Sequence, residues 1–232
     1  MKDAVIVSTA RTPIATAMRG AFNDFKTPSM TAIAIRAAVE RAGIEPARIE
    51  DLVLGTAMQS GTAAINPARL SALAAGLPVS VSGQTIDRQC ASGLMAIAIA
   101  AKQIMVDGMQ VTIGAGQEQI SLVQNTHMKW SGADYDPAVV KMAEHAYMPM
   151  LQTAEQVARR YGISRDAQDA YALQSQQRTA AAQAAGLFAD EIIAVSSRKR
   201  VLDKDSGALS YQEVRLTADE GNRPNTVLAD LQ

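Results

Sequence analysis

Two periods of apolar and polar positions alternate along the first half of the chain. The short runs "AVIVS" (4–8), "DLVLGTA" (51–57), "VSGQTIDRQ" (81–89) and "QVTIGAG" (110–116) read as strands. Longer segments with helical spacing lie between them. Segment 29–43, "SMTAIAIRAAVERAG", is predicted to be a helix capped by Ser29 and ended by Gly43. Segment 66–78, "NPARLSALAAGLP", is a second, with Pro67 in its first turn and Gly76 near its stop. Residues 91–107 form a third, closed by Gly108. That helix has almost no polar residue before Lys102, and a helix apolar all round is expected to be buried. Strand and helix in this alternation predict an α/β fold with a mostly parallel sheet covered by helices.

Past residue 119 the pattern changes. Residues 120–150 show no clear period and contain both histidines, His127 and His145. Segment 153–186 is strongly helical with a break at "GIS", after which Ser164 is placed to cap a fresh helix. The stretch "EIIAVSSRKRVLDKDSGALSYQEV" predicts two short strands around the turn "DKDSG".

Composition narrows the class. A chain of 232 residues holds one large domain or two of ordinary size. Aromatic residues are only 4% of it and alanine supplies much of the apolar share, so packing is expected to rely on close backbone approach. A net charge of −1 provides no field to draw nucleic acid or an anionic membrane. The opening apolar stretch is too short for a signal-peptide core, and no apolar run reaches the roughly 18 residues of a membrane span. One cysteine, Cys90, excludes an intramolecular disulfide and points to a reducing compartment, the cytoplasm.

Cys90 stands where the third strand turns into the third helix. Unpaired N–H groups and the positive end of the helix dipole stabilise a thiolate at such a position. The same N–H groups suit an oxyanion formed when sulfur attacks a carbonyl. Position alone leaves two readings open, a nucleophile or a small buried apolar residue. Asp87, close by, is placed to pair with Arg88. "IGAGQEQ" lacks the third glycine of a dinucleotide fingerprint, and no helix is expected after it. No His, Cys and carboxylate cluster has metal-ligand spacing, so no metal is expected. The basic run "SRKRVLDK" (197–204) reads as a solvated hairpin face.

The segment "DRQCASGLMAIAIAAKQIMVDG" resembles the nucleophile signature of the thiolases, N-R-x-C-x-S-G-L-x-A-I. "VIVSTARTPI", "INPARLSALAAGLP" and "IGAGQEQIS" are similar to further segments of that family, in the same order. "TAEQVARRYGISRDAQDAYALQSQQRTAAAQAAGLFADEI" and "DEGNRPNT" resemble its inserted loop domain. The resemblance implies a thiolase-like layered αβαβα fold. Residues 1–119 would be the N-terminal half and residues 120–232 a mainly helical loop domain on the coenzyme A side. It implies acyl transfer through a Cys90 thioester, with coenzyme A and acyl-CoA as substrates and no permanently bound cofactor. The Cys90 backbone N–H would belong to the oxyanion hole. Arg223 aligns with an arginine along the adenine and phosphate end of coenzyme A. Met150 aligns with a methionine of the acyl or pantetheine tunnel, beside Leu151 where the family has glycine. The family also implies a homodimer or homotetramer, without nucleic acid or membrane as partner.

The family's G-H-P-x-G, N-E-A-F and C-x-G-G motifs are absent from this sequence. Neither His127 nor His145 matches a general-base motif, and both are expected to be exposed or lightly hydrogen-bonded loop residues. Two readings follow: part of a complete thiolase, or an inactive fragment that binds coenzyme A or another subunit. In either, an unpaired sheet edge and an uncovered apolar face are expected, with instability as a lone monomer.

Overall fold

The computed structural model describes residues 2–132 and 134–232. The chain forms two compact units, one of residues up to Met128 with Glu191–Glu220, the other of Lys129–Asp190 with Gly221–Gln232.

The first unit is built on three parallel strands, β1 (Asp51–Gly55), β2 (Ser82–Ile86) and β3 (Thr112–Gly116), in the order β2-β1-β3. Gly55 at the end of β1 stands opposite Ile86 and Gly116, so the three carboxyl ends lie side by side. All of β1 is buried. Its side chains alternate between two cores, as the strand period of two demands. Leu52 and Leu54 pack with Ala32 and Ile35 of α1 (Thr27–Ala42) and with Ala68 and Ala72 of α2 (Pro67–Ala74). Val53 packs on the other face with Ala96 and Ala100 of α3 (Ser92–Met105). Each of these large side chains contributes about 1.5–3 kcal/mol by leaving water. The α/β alternation read from the sequence is thus realised as helix, sheet and helix layers.

Four expectations are corrected. Residues 4–8 form no strand: Val5, Ile6 and Val7 are exposed and no described strand pairs with them. Their β-branched content favours extended backbone, but a strand also requires a neighbour's N–H and C=O groups. Helix α1 starts before Ser29. Its N-cap is Lys26, without a side-chain cap bond, and proline in the first turn sets the start, while Gly43 at φ 61° ends it as expected. The segment 120–150 contains α4 (Ile120–Ser131), so His127 is helical and a helix does follow β3. It also contains α5 (Pro137–Met142), started by Asp136, whose carboxylate accepts from Ala138 N at 2.7 Å. Finally, α3 is covered on its sheet side only, and Leu94 is 74% exposed. Its apolar residues outnumber the partners this chain offers.

Two long-range devices complete the first unit. The hairpin of β4 (Val195–Leu202) and β5 (Leu209–Leu216) is antiparallel around the "DKDSG" turn, as its sequence predicts. Ser197 Oγ donates to Ala21 O at 2.7 Å, and Asn23 exchanges bonds with the Arg200 backbone at 2.8 and 2.9 Å. On the hairpin, Arg198 lies over the Tyr211 ring at 4.7 Å and 3.5 Å from Glu213, a solvated face. Arg11 grips Asp219 through both terminal nitrogens, at 2.7 and 3.0 Å, and Glu191 through Nε at 2.7 Å. Ile14 N also donates to Asp219 at 2.8 Å, and Thr16 N to Glu220 at 2.7 Å. The Arg11 bonds hold the Asp219 carboxyl below the usual carboxylate range and push the Arg11 guanidinium up.

In the second unit, α6 (Met150–Tyr161) and α7 (Arg165–Ala184) are separated at "GIS". Ser164 Oγ accepts from Ala167 N at 3.2 Å, the predicted cap. Among the described residues no helix is long and apolar enough to cross a membrane.

Candidate functional site

Cys90 is exposed and lies at the carboxyl ends of the three strands, where β2 runs into α3. Crevices at this end of a parallel sheet are where ligands meet α/β proteins. The turn that carries Cys90 is braced from both sides. Gln89 is held at φ 49°, in the left-handed region where a side chain is uncommon. Its N–H donates to Asp87 Oδ1 at 2.7 Å. Its carbonyl accepts from Ser92 Oγ at 2.6 Å, and the same hydroxyl accepts from Arg88 N at 2.8 Å. Asp87 therefore braces the turn and does not form the expected ion pair with Arg88. Ala91 is the N-cap of α3, which places Cys90 one residue ahead of it. The first-turn N–H groups of Gly93 and Leu94 have no acceptor among the described residues. They are donors free for an external oxygen.

Close approach of backbone to backbone sets the position of this turn. A Cβ at Gly55 would lie 2.2 Å from the Ser92 carbonyl carbon and oxygen, and one at Gly116 would lie 3.0 Å from Gly93 Cα. The ends of β1 and β3 thus support the start of α3 directly. Sequence reasoning missed a further brace. Glu118 accepts from Thr56 Oγ1 at 3.1 Å and from Ala57 N and Met58 N at 3.0 and 3.1 Å, holding the loop after β1. Thr56 N in turn donates to Ile86 O at 3.1 Å, beside the Cys90 loop. The motif "IGAGQEQIS" contained this glutamate, but its partners lie 60 residues or more away along the chain.

The remaining candidates stand on other elements. Met150 opens α6 in the second unit and is 72% exposed, with Leu151 exposed beside it. Arg223, also in the second unit, is exposed, and its backbone N–H donates to Gln176 Oε1 at 2.8 Å. Its guanidinium has no acidic partner among the described residues. His127 is half-buried on α4 and His145 is exposed. Among the described residues no three His, Cys, Asp or Glu side chains gather as a metal site would require.

Comparison with known proteins places this geometry in a family. The profile of the thiolase N-terminal domain matches residues 4–232. The chain belongs to the thiolase family. A peroxisomal 3-ketoacyl-CoA thiolase 2 of Arabidopsis thaliana is 38% identical over 231 residues, covering 99% of this chain and 48% of the relative. A 3-ketoacyl-CoA thiolase of Bacillus subtilis (strain 168) is 39% identical over 226 residues, covering 97% of this chain and 57% of the relative. An acetyl-CoA acetyltransferase of Cupriavidus necator is 36% identical over 205 residues, covering 84% of this chain and 51% of the relative. The chain spans about half the length of the curated thiolases it matches.

Proposed function

We propose that this chain is the nucleophile-bearing part of a thiolase, an acyl-CoA acyltransferase. The observation that carries the proposal is an exposed Cys90 on a braced strand-to-helix turn, followed by first-turn N–H groups with no acceptor among the described residues. In this reading the Cys90 thiolate attacks the keto carbon of a 3-ketoacyl-CoA. The oxygen becomes an oxyanion met by backbone N–H donors of the turn, that of Cys90 included. The bond between the α and β carbons then breaks. Its electron pair stays on the α carbon, which takes a proton and leaves as a coenzyme A thioester. The thiol of an incoming coenzyme A attacks the acyl-cysteine, forming the shortened acyl-CoA and returning the Cys90 thiolate. The proton acceptor is assigned to the part of the relatives that this chain does not span, since neither His127 nor His145 sits in a family base motif.

Arg223 is assigned to the phosphate end of coenzyme A, because a guanidinium without an acidic partner suits a phosphate. Met150 is assigned to the acyl or pantetheine tunnel on the strength of its exposed place at the start of α6. Residues 1–119 and 120–232 are proposed as the N-terminal half and the loop domain. Coenzyme A and acyl-CoA serve as substrates, with no resident cofactor. The lone cysteine supports a reducing, cytoplasmic setting. The exposed apolar Leu94 and Ile97 of α3 support a homodimer or homotetramer, without membrane or nucleic acid.

A second reading is an inactive coenzyme A-binding or subunit-interaction fragment, since Arg223 offers a cation for phosphate while His127 and His145 lie in no family base motif. Intact-mass measurement after brief exposure to acetyl-CoA separates the two. An acetyl adduct that maps to Cys90 and is absent from Cys90→Ser supports the enzyme; a chain that takes no adduct supports the fragment. An unchanged adduct in Cys90→Ser overturns the nucleophile assignment.

A further inference from the structure

Arg223 is fixed at its backbone, and its guanidinium has no acidic partner among the described residues. Its N–H donates to Gln176 Oε1 at 2.8 Å. The Asn222 side-chain amide donates to the same oxygen and to the Gln176 carbonyl, both at 3.0 Å. The Arg223 carbonyl accepts from the Thr226 hydroxyl at 2.8 Å and the Thr226 N–H at 3.1 Å. Residues 222–226 therefore form a closed turn anchored to α7, and none of these bonds uses the guanidinium.

The anchor has a particular chemistry. Gln176 is half-buried in the middle of the 20-residue helix α7, so its own backbone is rigid. Its amide oxygen accepts two bonds without carrying a net charge. A glutamate would accept the same bonds, but its charge would lie one hydrogen bond from Arg223 and oppose an incoming anion. An alanine would leave both donors to water and free the turn.

We propose that Gln176 is a positioning residue that presents Arg223 to the phosphate end of coenzyme A, and that its neutrality keeps the arginine's charge available. This role rests on the assignment of Arg223 made above and adds the residue that orients it.

The test compares Gln176→Ala, Gln176→Glu and Arg223→Ala in the full chain. Amide exchange is read by mass spectrometry on a peptide containing residues 222–226, and affinity for free coenzyme A by calorimetry. In Gln176→Ala, exchange in 222–226 rises about tenfold or more, and coenzyme A binds about 5- to 20-fold more weakly, the scale of one or two lost hydrogen bonds. In Gln176→Glu, exchange stays at the parent level while affinity falls, and added salt shrinks that fall. Combined with Arg223→Ala, both Gln176 changes lose most of their effect on affinity. Unchanged exchange in Gln176→Ala overturns the anchor. An affinity loss that persists in full without Arg223 overturns the positioning role. If the parent does not bind coenzyme A, or Arg223→Ala binds as well as the parent, the ligand assignment of Arg223 fails and the recognition role with it. The exchange data then still report separately on the anchor.

Discussion

Replacing Gly55 with alanine tests how the turn that carries Cys90 is supported. A Cβ at Gly55 would lie 2.2 Å from both the carbonyl carbon and oxygen of Ser92 and 2.6 Å from Gly93 N. All three are backbone atoms, so no rotamer change relieves the contact. They belong to the turn braced by the Ser92 hydroxyl. Reaching an ordinary contact of 3.4 Å requires the start of α3 to move away from β1 by about 1.2 Å or more. Overpacking costs about 1–3 kcal/mol where side chains yield, and a clash with rigid backbone belongs at or above the top of that range. For a chain of this size about 3 kcal/mol lowers the melting temperature by ~6–12 °C. Gly114→Ala is the internal comparison. It meets Ile97 Cα at 2.7 Å and the Ile97 side chain at 3.1 Å, a milder conflict on the same helix. Gly43→Ala meets no atom within 4 Å but sits at φ 61°, a backbone penalty of about 1 kcal/mol. Urea denaturation should rank the losses Gly55, Gly114, Gly43. A Gly55→Ala protein within about 0.5 kcal/mol of the parent would refute the direct support of α3 by β1.

Two further outcomes are expected. Asp219→Asn should lose about 1.5–3 kcal/mol at neutral pH, because it removes charge-assisted bonds to Arg11. The Asp219 carboxyl is held low by Arg11, so its contribution is complete above the ordinary carboxylate range, starts to shrink as pH falls into that range and is lost as pH falls through the lowered value. The gap between variant and parent should therefore begin to narrow below about pH 4, and a gap that stays constant down to pH 3 would contradict the assignment. Ser164→Ala should cost about 1 kcal/mol and speed amide exchange at Ala167, with unaltered exchange there counting against the cap.

Much of the fold was legible because some signals are local. The start of α7 at Ser164, the stop of α1 at Gly43 and the hairpin around "DKDSG" depend on hydrogen bonds within a few residues. The place of Cys90 at the head of α3 was legible too, since the strand-to-helix turn around it is contiguous. The misses have a common physical origin. Residues 4–8 have strand composition, but a strand exists only when another strand supplies its hydrogen bonds. Helix α3 is apolar enough for burial on every side, yet exposure depends on which partners the chain contains. Helix α5 escaped notice because a cap and a proline start it, with too few turns to set up a period.

The sequence by itself determined the alternation of strand and helix, the caps and turns, and the place of Cys90 at the head of α3. Those follow from backbone geometry and side-chain reach over a few residues. Only the tertiary structure decided that Glu118 would brace the loop after β1, that Arg11 would grip Asp219, and that Gln176 would hold Arg223. These contacts join residues from 47 to 208 positions apart. Such pairs form only after the sheet and helices have closed the intervening loops. No local pattern along the chain carries the information about which distant donor will meet which acceptor.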